Sequence, residues 1–218
     1  MTGSSKKRPS RQQTSTAPAP AHGPAAAPPL TPAATAILDV AERLAQTKGY
    51  NGFSYADIAV QLGVTKASLH YHFPSKAELG SALIERYKVV FGKALEAIDA
   101  RAAEPPKKLR LYVGLYDSVM RDDRMCLCGM LAAEYATLPK PMQEGLKSFF
   151  EANEQWLRGI LKDGARSGDF RFKESANERA RVLLGALEGA MLVARSYGDP
   201  DRFKAAADCL LADLRVDR

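Results

Sequence analysis

Residues 54–79 read Ser54-Tyr-Ala-Asp-Ile-Ala-Val-Gln-Leu-Gly63-Val-Thr-Lys-Ala-Ser-Leu-His-Tyr-His-Phe73-Pro-Ser-Lys-Ala-Glu-Leu79, and this stretch decides the fold. Ser54 is suited to cap a short helix carrying Ile58, Ala59 and Leu62. Gly63 supplies the positive φ of a tight turn, and Thr65 caps a second helix that runs to Phe73. Pro74 breaks that helix, and Ser75 with Glu78 three residues on forms a capping box for the next. Two short helices joined by a glycine turn match the helix-turn-helix, whose second helix enters the major groove of DNA. In that geometry Ile58, Ala59, Leu62, Val64, Leu69 and Phe73 face inward. Lys66, Ala67, Ser68, His70 and Tyr71 are left free to meet bases and phosphates.

Outward from this hairpin the pattern stays helical. Thr31-Pro32 is an N-cap followed by proline at the first helical position. Ile37, Val40, Ala41 and Leu44 then form one stripe, stopped by Gly49 and Asn51-Gly52. A long helix is predicted from about Lys76 to Arg101, and others over Lys107–Arg121, Cys126–Thr137, Met142–Arg166, Ala176–Tyr197 and Asp201–Leu214. No alternating run of strand type and no internal repeat is present, so the expected class is all-α. The expected organisation is a disordered basic Ala/Pro-rich arm over 1–30, a three-helix bundle with the helix-turn-helix over 31–79, and a larger helical domain over 80–218.

The formal net charge is +6, but Lys6, Lys7, Arg8 and Arg11 of the arm account for most of it. The arm carries no acidic residue and too little apolar surface to offset its ordering entropy. It can solubilise the chain or add phosphate contacts. Lys-Lys-Arg is followed by Ser, Thr, Ala and Pro rather than an apolar core, unlike a secretory signal. No apolar run approaches the length of a membrane helix, and the odd count of three cysteines argues against a disulfide framework. The expected location is cytoplasmic. No cofactor and no metal site is expected: Cys126 and Cys128 are two residues apart on different helix faces, and the chain has three His.

The run from Gly63 to Leu79, with Ile37–Ala45, Gly49-Tyr50, Phe53-Ser54 and Asp57–Leu62, closely resembles the TetR family of bacterial regulators. The resemblance implies a homodimer that binds a double-stranded DNA operator, most often as a repressor. By position, Ser54 and Tyr55 match residues touching the phosphate backbone. Thr65 and Lys66 match the start of the recognition helix, and Ala67 and Ser68 lie where members read bases. Tyr71 and His72 match an aromatic pair on phosphate, Lys76 matches a phosphate-binding lysine, and His70 stands where many relatives have Tyr.

The resemblance is weaker in 80–218, where such regulators sense small molecules. Candidate pocket residues there are Tyr112, Tyr116, Met120, Met130, Phe149, Phe150 and Trp156. Met125–Glu134 resembles a segment of an electrophile-responsive branch in which a cysteine matching Cys126 is the sensor. A helix N-terminus and nearby Arg121 and Arg124 would lower its thiol pKa; the other reading is that Cys126 and Cys128 are small buried hydrophobes. Ala180, Leu183, Leu184, Leu187, Ala190, Met191 and Ala194 form a stripe wide enough for two neighbours, with Gly185 and Gly189 allowing close approach. With Phe203, Ala207, Leu210 and Leu211 this resembles the family's two-helix dimer face. The function implied is release from a palindromic operator by a small-molecule or thiol-reactive effector. An enzyme carrying a DNA-binding domain and a constitutive DNA-packaging protein are the alternatives. No nucleophile–base pairing, metal cluster or phosphate-cradling loop supports the first, and residues 31–218 are too near neutral for the second.

Overall fold

The computed structural model describes residues 1–2 and 30–214; the expected arm falls almost wholly outside the described residues. The described residues from Thr31 onward group as one compact unit. Nine α-helices follow one another among the described residues, with no β-strand: α1 (Pro32–Lys48), α2 (Tyr55–Leu62), α3 (Lys66–His72), α4 (Lys76–Arg101), α5 (Pro105–Arg121), α6 (Leu127–Ala133), α7 (Lys140–Ser167), α8 (Ala176–Ser196) and α9 (Pro200–Ala212). The all-α expectation holds. The predicted Cys126–Thr137 helix is shorter than expected, because after Ala133 the chain tightens into a 3-10 turn over Tyr135–Thr137.

Local signals set the boundaries. The Thr31 hydroxyl accepts the Ala34 N–H, and Pro32 opens α1. Reciprocal capping boxes start α2 (Ser54/Asp57), α4 (Ser75/Glu78) and α8 (Ser175/Glu178). Gly63 closes α2 at φ 64°, ψ 31°, a left-handed conformation that a side chain would strain.

α1 buries Ile37, Leu38, Ala41 and Leu44 against α2 and α4. α4 runs on from the hairpin and packs Leu83, Ile84, Tyr87, Phe91 and Leu95 on α5, α6 and α7. α5, α7, α8 and α9 complete the larger core around Tyr112, Tyr116, Phe149, Leu187 and Phe203. Among the described residues no helix is long and apolar enough to cross a membrane.

Candidate nucleic-acid interface and sensing core

α3 is held by very little. Leu69 is its only buried residue, and Phe73 caps its end by donating its N–H to the Leu69 carbonyl at 2.8 Å. Thr65 accepts the Ser68 N–H at the other end. The helix therefore stands off the surface, with Lys66, Ala67, Ser68, His70 and Tyr71 exposed. Tyr71 is 84% exposed, and its ring meets His72 edge-on at 5.2 Å. Its ring and hydroxyl are both accessible from solvent, beside the exposed Lys66, Ala67 and Ser68 on the same short helix. Val64, expected inside, is 40% exposed, because the Gly63 turn swings the chain outward before α3 begins.

Two residues matched to phosphate contacts are placed differently. Tyr55 is buried, and its hydroxyl donates to the Phe73 carbonyl at 2.7 Å. Burial pushes its phenol up to about 12, so it stays a neutral pin between the start of α2 and the end of α3. The Lys76 ammonium donates to the carbonyls of Tyr50 (2.6 Å) and Phe53 and lies 4.6 and 4.5 Å from the centroids of the same two rings. Burial lowers its pKa, opposed by the charges of Glu134 and Asp57. In this state Lys76 clamps the α1–α2 loop and has one N–H left. His70 donates from Nδ1 to the Pro74 carbonyl at 3.0 Å and rests on the Tyr55 ring at 4.7 Å. Ser54 remains exposed, its N–H and hydroxyl both held by Asp57 at 2.7 Å.

The end of α1, which feeds this hairpin, is gripped from the larger core. Arg124 donates to the Gln46 side chain at 2.9 Å, and the Met125 N–H donates to the Gln46 carbonyl at 3.2 Å. Arg195 of α8 donates to the Thr47 carbonyl at 2.6 Å. Glu134, at the end of α6, accepts the backbone N–H groups of Tyr50 and Asn51.

Inside the larger core, the sequence-predicted pocket residues come together only in part. The hydroxyls of Tyr112 and Tyr116 lie 2.9 Å apart, and Tyr112 also donates to Asn153 Oδ1 at 3.1 Å. Trp156, half-buried, stacks on Tyr112 at 5.4 Å and donates to Asp99 at 2.9 Å. Met120 and Phe149 are buried, whereas Phe150 and Met130 lie half-buried at its margin.

Cys126 occupies the N-cap position of α6 without a side-chain capping bond, but it is buried, and its pKa moves up rather than down. Burial is the main cause, and the neighbouring carboxylate of Glu188 adds to it. Arg121 pairs with Asp117 and Asp201, and Arg124 with Asp122 and Gln46, so neither supplies the charge expected beside the thiol. Cys128 is buried and raised in the same way.

Glu188 is the residue missed. The residue as a whole is half-buried, but its Oε1 is sealed from solvent with no hydrogen-bond partner, and Oε2 lies 2.2 Å from where a Cβ on Gly129 would stand. A signal was available: Glu188 falls four residues after Leu184 and three before Met191, on the inward stripe of α8.

That stripe also corrects the dimer face. Leu184, Leu187 and Met191 are covered by the chain's own core and have nothing to offer a partner. The exposed side of α8 is Val182, Gly185, Leu192 and Val193, with Gly189 half-buried beside them. A Cβ added at Gly185 or Gly189 would meet open space, so a second helix has room to approach. On α9 Leu210 is half-buried and Cys209 exposed.

Comparison with known proteins agrees with this arrangement. A model of bacterial regulatory proteins of the tetR family matches residues 37–83, and one of a tetracyclin repressor-like C-terminal domain matches 105–210. A TetR-family transcriptional regulator from Agrobacterium tumefaciens is 31% identical with a TM-score of 0.82, over 84% of this chain and 98% of that one. A TetR transcriptional regulator from Legionella pneumophila is 32% identical with a TM-score of 0.75, over 83% and 96%. The transcriptional regulator AcuR of Cereibacter sphaeroides is 28% identical over 159 residues, 71% of this chain and 72% of that protein.

Proposed function

This chain belongs to the TetR family of bacterial transcriptional regulators, and on that premise we propose that it is a homodimeric repressor released from a pseudo-palindromic operator by a small-molecule effector. The observation that carries the reading is α3, whose one buried residue is Leu69 and which presents Lys66, Ala67, Ser68 and Tyr71 to solvent. Lys66 is suited to a phosphate or a guanine edge, and the small Ala67 and Ser68 let the helix approach the bases closely. Ser54 and Thr65 flank it, His72 supports Tyr71, and Lys76 has one donor left for a phosphate.

Dimerisation through Val182, Gly185, Gly189, Leu192 and Val193 of α8, with Leu210 of α9, would set the separation of two recognition helices. Successive half-sites lie about 34–36 Å apart on DNA, so a small change in that separation is enough to lose the operator. An effector in the core among Tyr112, Tyr116 and Trp156 would act on α6 and α8, and both grip the end of α1. Release is then a shift of population toward a conformer with the wrong spacing. A thiol-reactive trigger at Cys126 gains no support from a buried thiol whose pKa is raised.

Selection of bound sequences from a random DNA pool tests the reading. Enrichment of a two-fold symmetric site, lost in Tyr71→Ala, is expected. Recovery of an unenriched pool, or the same site bound by Tyr71→Ala, would overturn it.

A further inference from the structure

We infer that the effector is an organic cation, seated with its charge against the free oxygen of Glu188 and its body among the aromatic rings around it. The inference rests on the effector-responsive reading above and names the chemistry of that same core.

A carboxylate removed from water is normally paired or coordinated. Glu188 has no ion pair among the described residues: burial and the Cys126 thiol are what act on it, and its Oε1 has no partner at all. The groups facing it are neutral. From α4 comes the Tyr87 phenol, from α5 the Tyr112 and Tyr116 phenols, and from α6 the thiols of Cys126 and Cys128, all of which feel the Glu188 charge. Lys88 of α4, whose charge reaches Cys128, is engaged with Glu85 at 3.0 Å. The carboxylate lies tight against α6 at Gly129, where a Cβ would stand 2.2 Å from Oε2.

The surroundings suit a cation with an apolar body. Tyr87 and Phe149 stand 5.5 Å apart, Phe91 and Phe149 5.3 Å, and Phe91 and Tyr116 6.1 Å, a continuous aromatic cluster packed tilted or edge to face, in which Tyr87 and Tyr116 feel the Glu188 charge. Ring faces attract ammonium groups, most strongly where water is excluded.

A groove between α4 and α7 leads toward these rings, lined by Gly92, Ala152 and Gly159 on its two walls. A mainly apolar cavity at its inner end is bounded by Phe91, Phe149 and Asn153, with Lys88, paired to Glu85, also on its wall. The outer rim carries Glu96, Asp99 and Asp163, a charge balance that draws in cations and repels anions even with Lys108 bound to Asp99. Arrival of a cation at Glu188 bears on the first turn of α6, whose last residues hold the Tyr50 and Asn51 N–H groups.

The test uses the full-length protein and the single tryptophan, which stacks on Tyr112 and reports on this core. Benzyltrimethylammonium, benzyl alcohol and phenylacetate are titrated separately while Trp156 fluorescence is followed. The ammonium should bind at least tenfold more tightly than either of the others. Glu188→Gln, which keeps shape and hydrogen bonding but not charge, should weaken the ammonium at least tenfold. In the unmutated protein its affinity should rise between pH 5.5 and 8.5 as Glu188 ionises, a readout that serves if the variant does not fold. An ammonium bound no better than the alcohol, or with no dependence on pH, overturns the inference. Sequence-selective DNA binding by the same preparation shows that such a failure belongs to the ligand class and not to the regulator reading.

Discussion

The Glu134 carboxylate accepts the backbone N–H of Tyr50 at 2.5 Å, tying the end of α6 to the turn that leads from α1 into the α2–α3 hairpin. A second bond from Asn51 N–H, at 3.2 Å, makes the link two-pronged. It joins the helix that begins beside Glu188 to the loop that Lys76 clamps.

Glu134→Ala removes this link. Hydrogen bonds to a charged group contribute about 1.5–3 kcal/mol each when well shielded, and less here because Asn51 is exposed. A net loss of about 2 kcal/mol, or roughly 4–8 °C in Tm, is expected. Effector should then release DNA less well from the variant than from the unmutated protein. Full effector response in Glu134→Ala, measured by gel shift, would show that the signal takes another route.

Lys66→Ala and Tyr71→Ala alter side chains that stand in water, so stability should change by no more than about 0.5 kcal/mol while operator binding is lost. Leu69→Ala is the contrasting case. It removes the buried anchor of α3 and should cost about 2–5 kcal/mol. Thermal melts beside gel shifts separate the two patterns.

Tyr55→Phe discriminates a structural pin from a phosphate contact. Loss of the bond to the buried Phe73 carbonyl should cost about 1–3 kcal/mol. Operator affinity of the fraction that remains folded should be nearly unchanged. Loss of affinity with an unchanged melting temperature would place the hydroxyl on the DNA instead.

Glu188 gives stability a pH signature. Burial raises its carboxyl to about 7, whereas the unfolded chain holds it near about 4.3. Between these values the folded state binds more protons, so this residue's contribution is fullest at low pH and declines as pH rises to about 7. Glu188→Gln removes the effect. Its melting temperature relative to the unmutated protein should therefore climb from pH 5 to pH 7 and then level off. A constant difference across that range would mean that the carboxylate is not buried.

Cys126 should resist alkylation in the folded protein. Its thiol is sealed and its ionisation suppressed, and the thiolate is the reacting species. N-ethylmaleimide followed by peptide mass spectrometry should find Cys126 unmodified until denaturant is added. Rapid labelling under native conditions would restore a thiol-sensing role.

The hairpin and its flanking helices were legible in the sequence because their signals are local. Thr31, Ser54, Gly63, Thr65 and Ser75 act on backbone within four residues of themselves, and each is where the sequence placed it. What local signals did not reach involved distant neighbours. A period of 3.6 marks Leu184, Leu187 and Met191 as buried but cannot say whether their own chain or a second copy covers them. The cap position of Cys126 was readable, but the carboxylate beside it comes from another helix. Tyr55 and Lys76 carry groups that suit phosphate, and the fold uses both on its own carbonyls. Glu188 was passed over because a charged residue is read as solvent-facing unless its place on the helix is checked.

The role of α3 as a reader of sequence is tested most directly by competition titration at one fixed salt concentration. The selected duplex is set against a scrambled one of the same length and composition. Specific regulators discriminate by about 10³-fold or more, and that ratio is expected here, collapsing in Lys66→Ala and Tyr71→Ala. Equal affinity for the two duplexes, or a ratio that survives both substitutions, would contradict it.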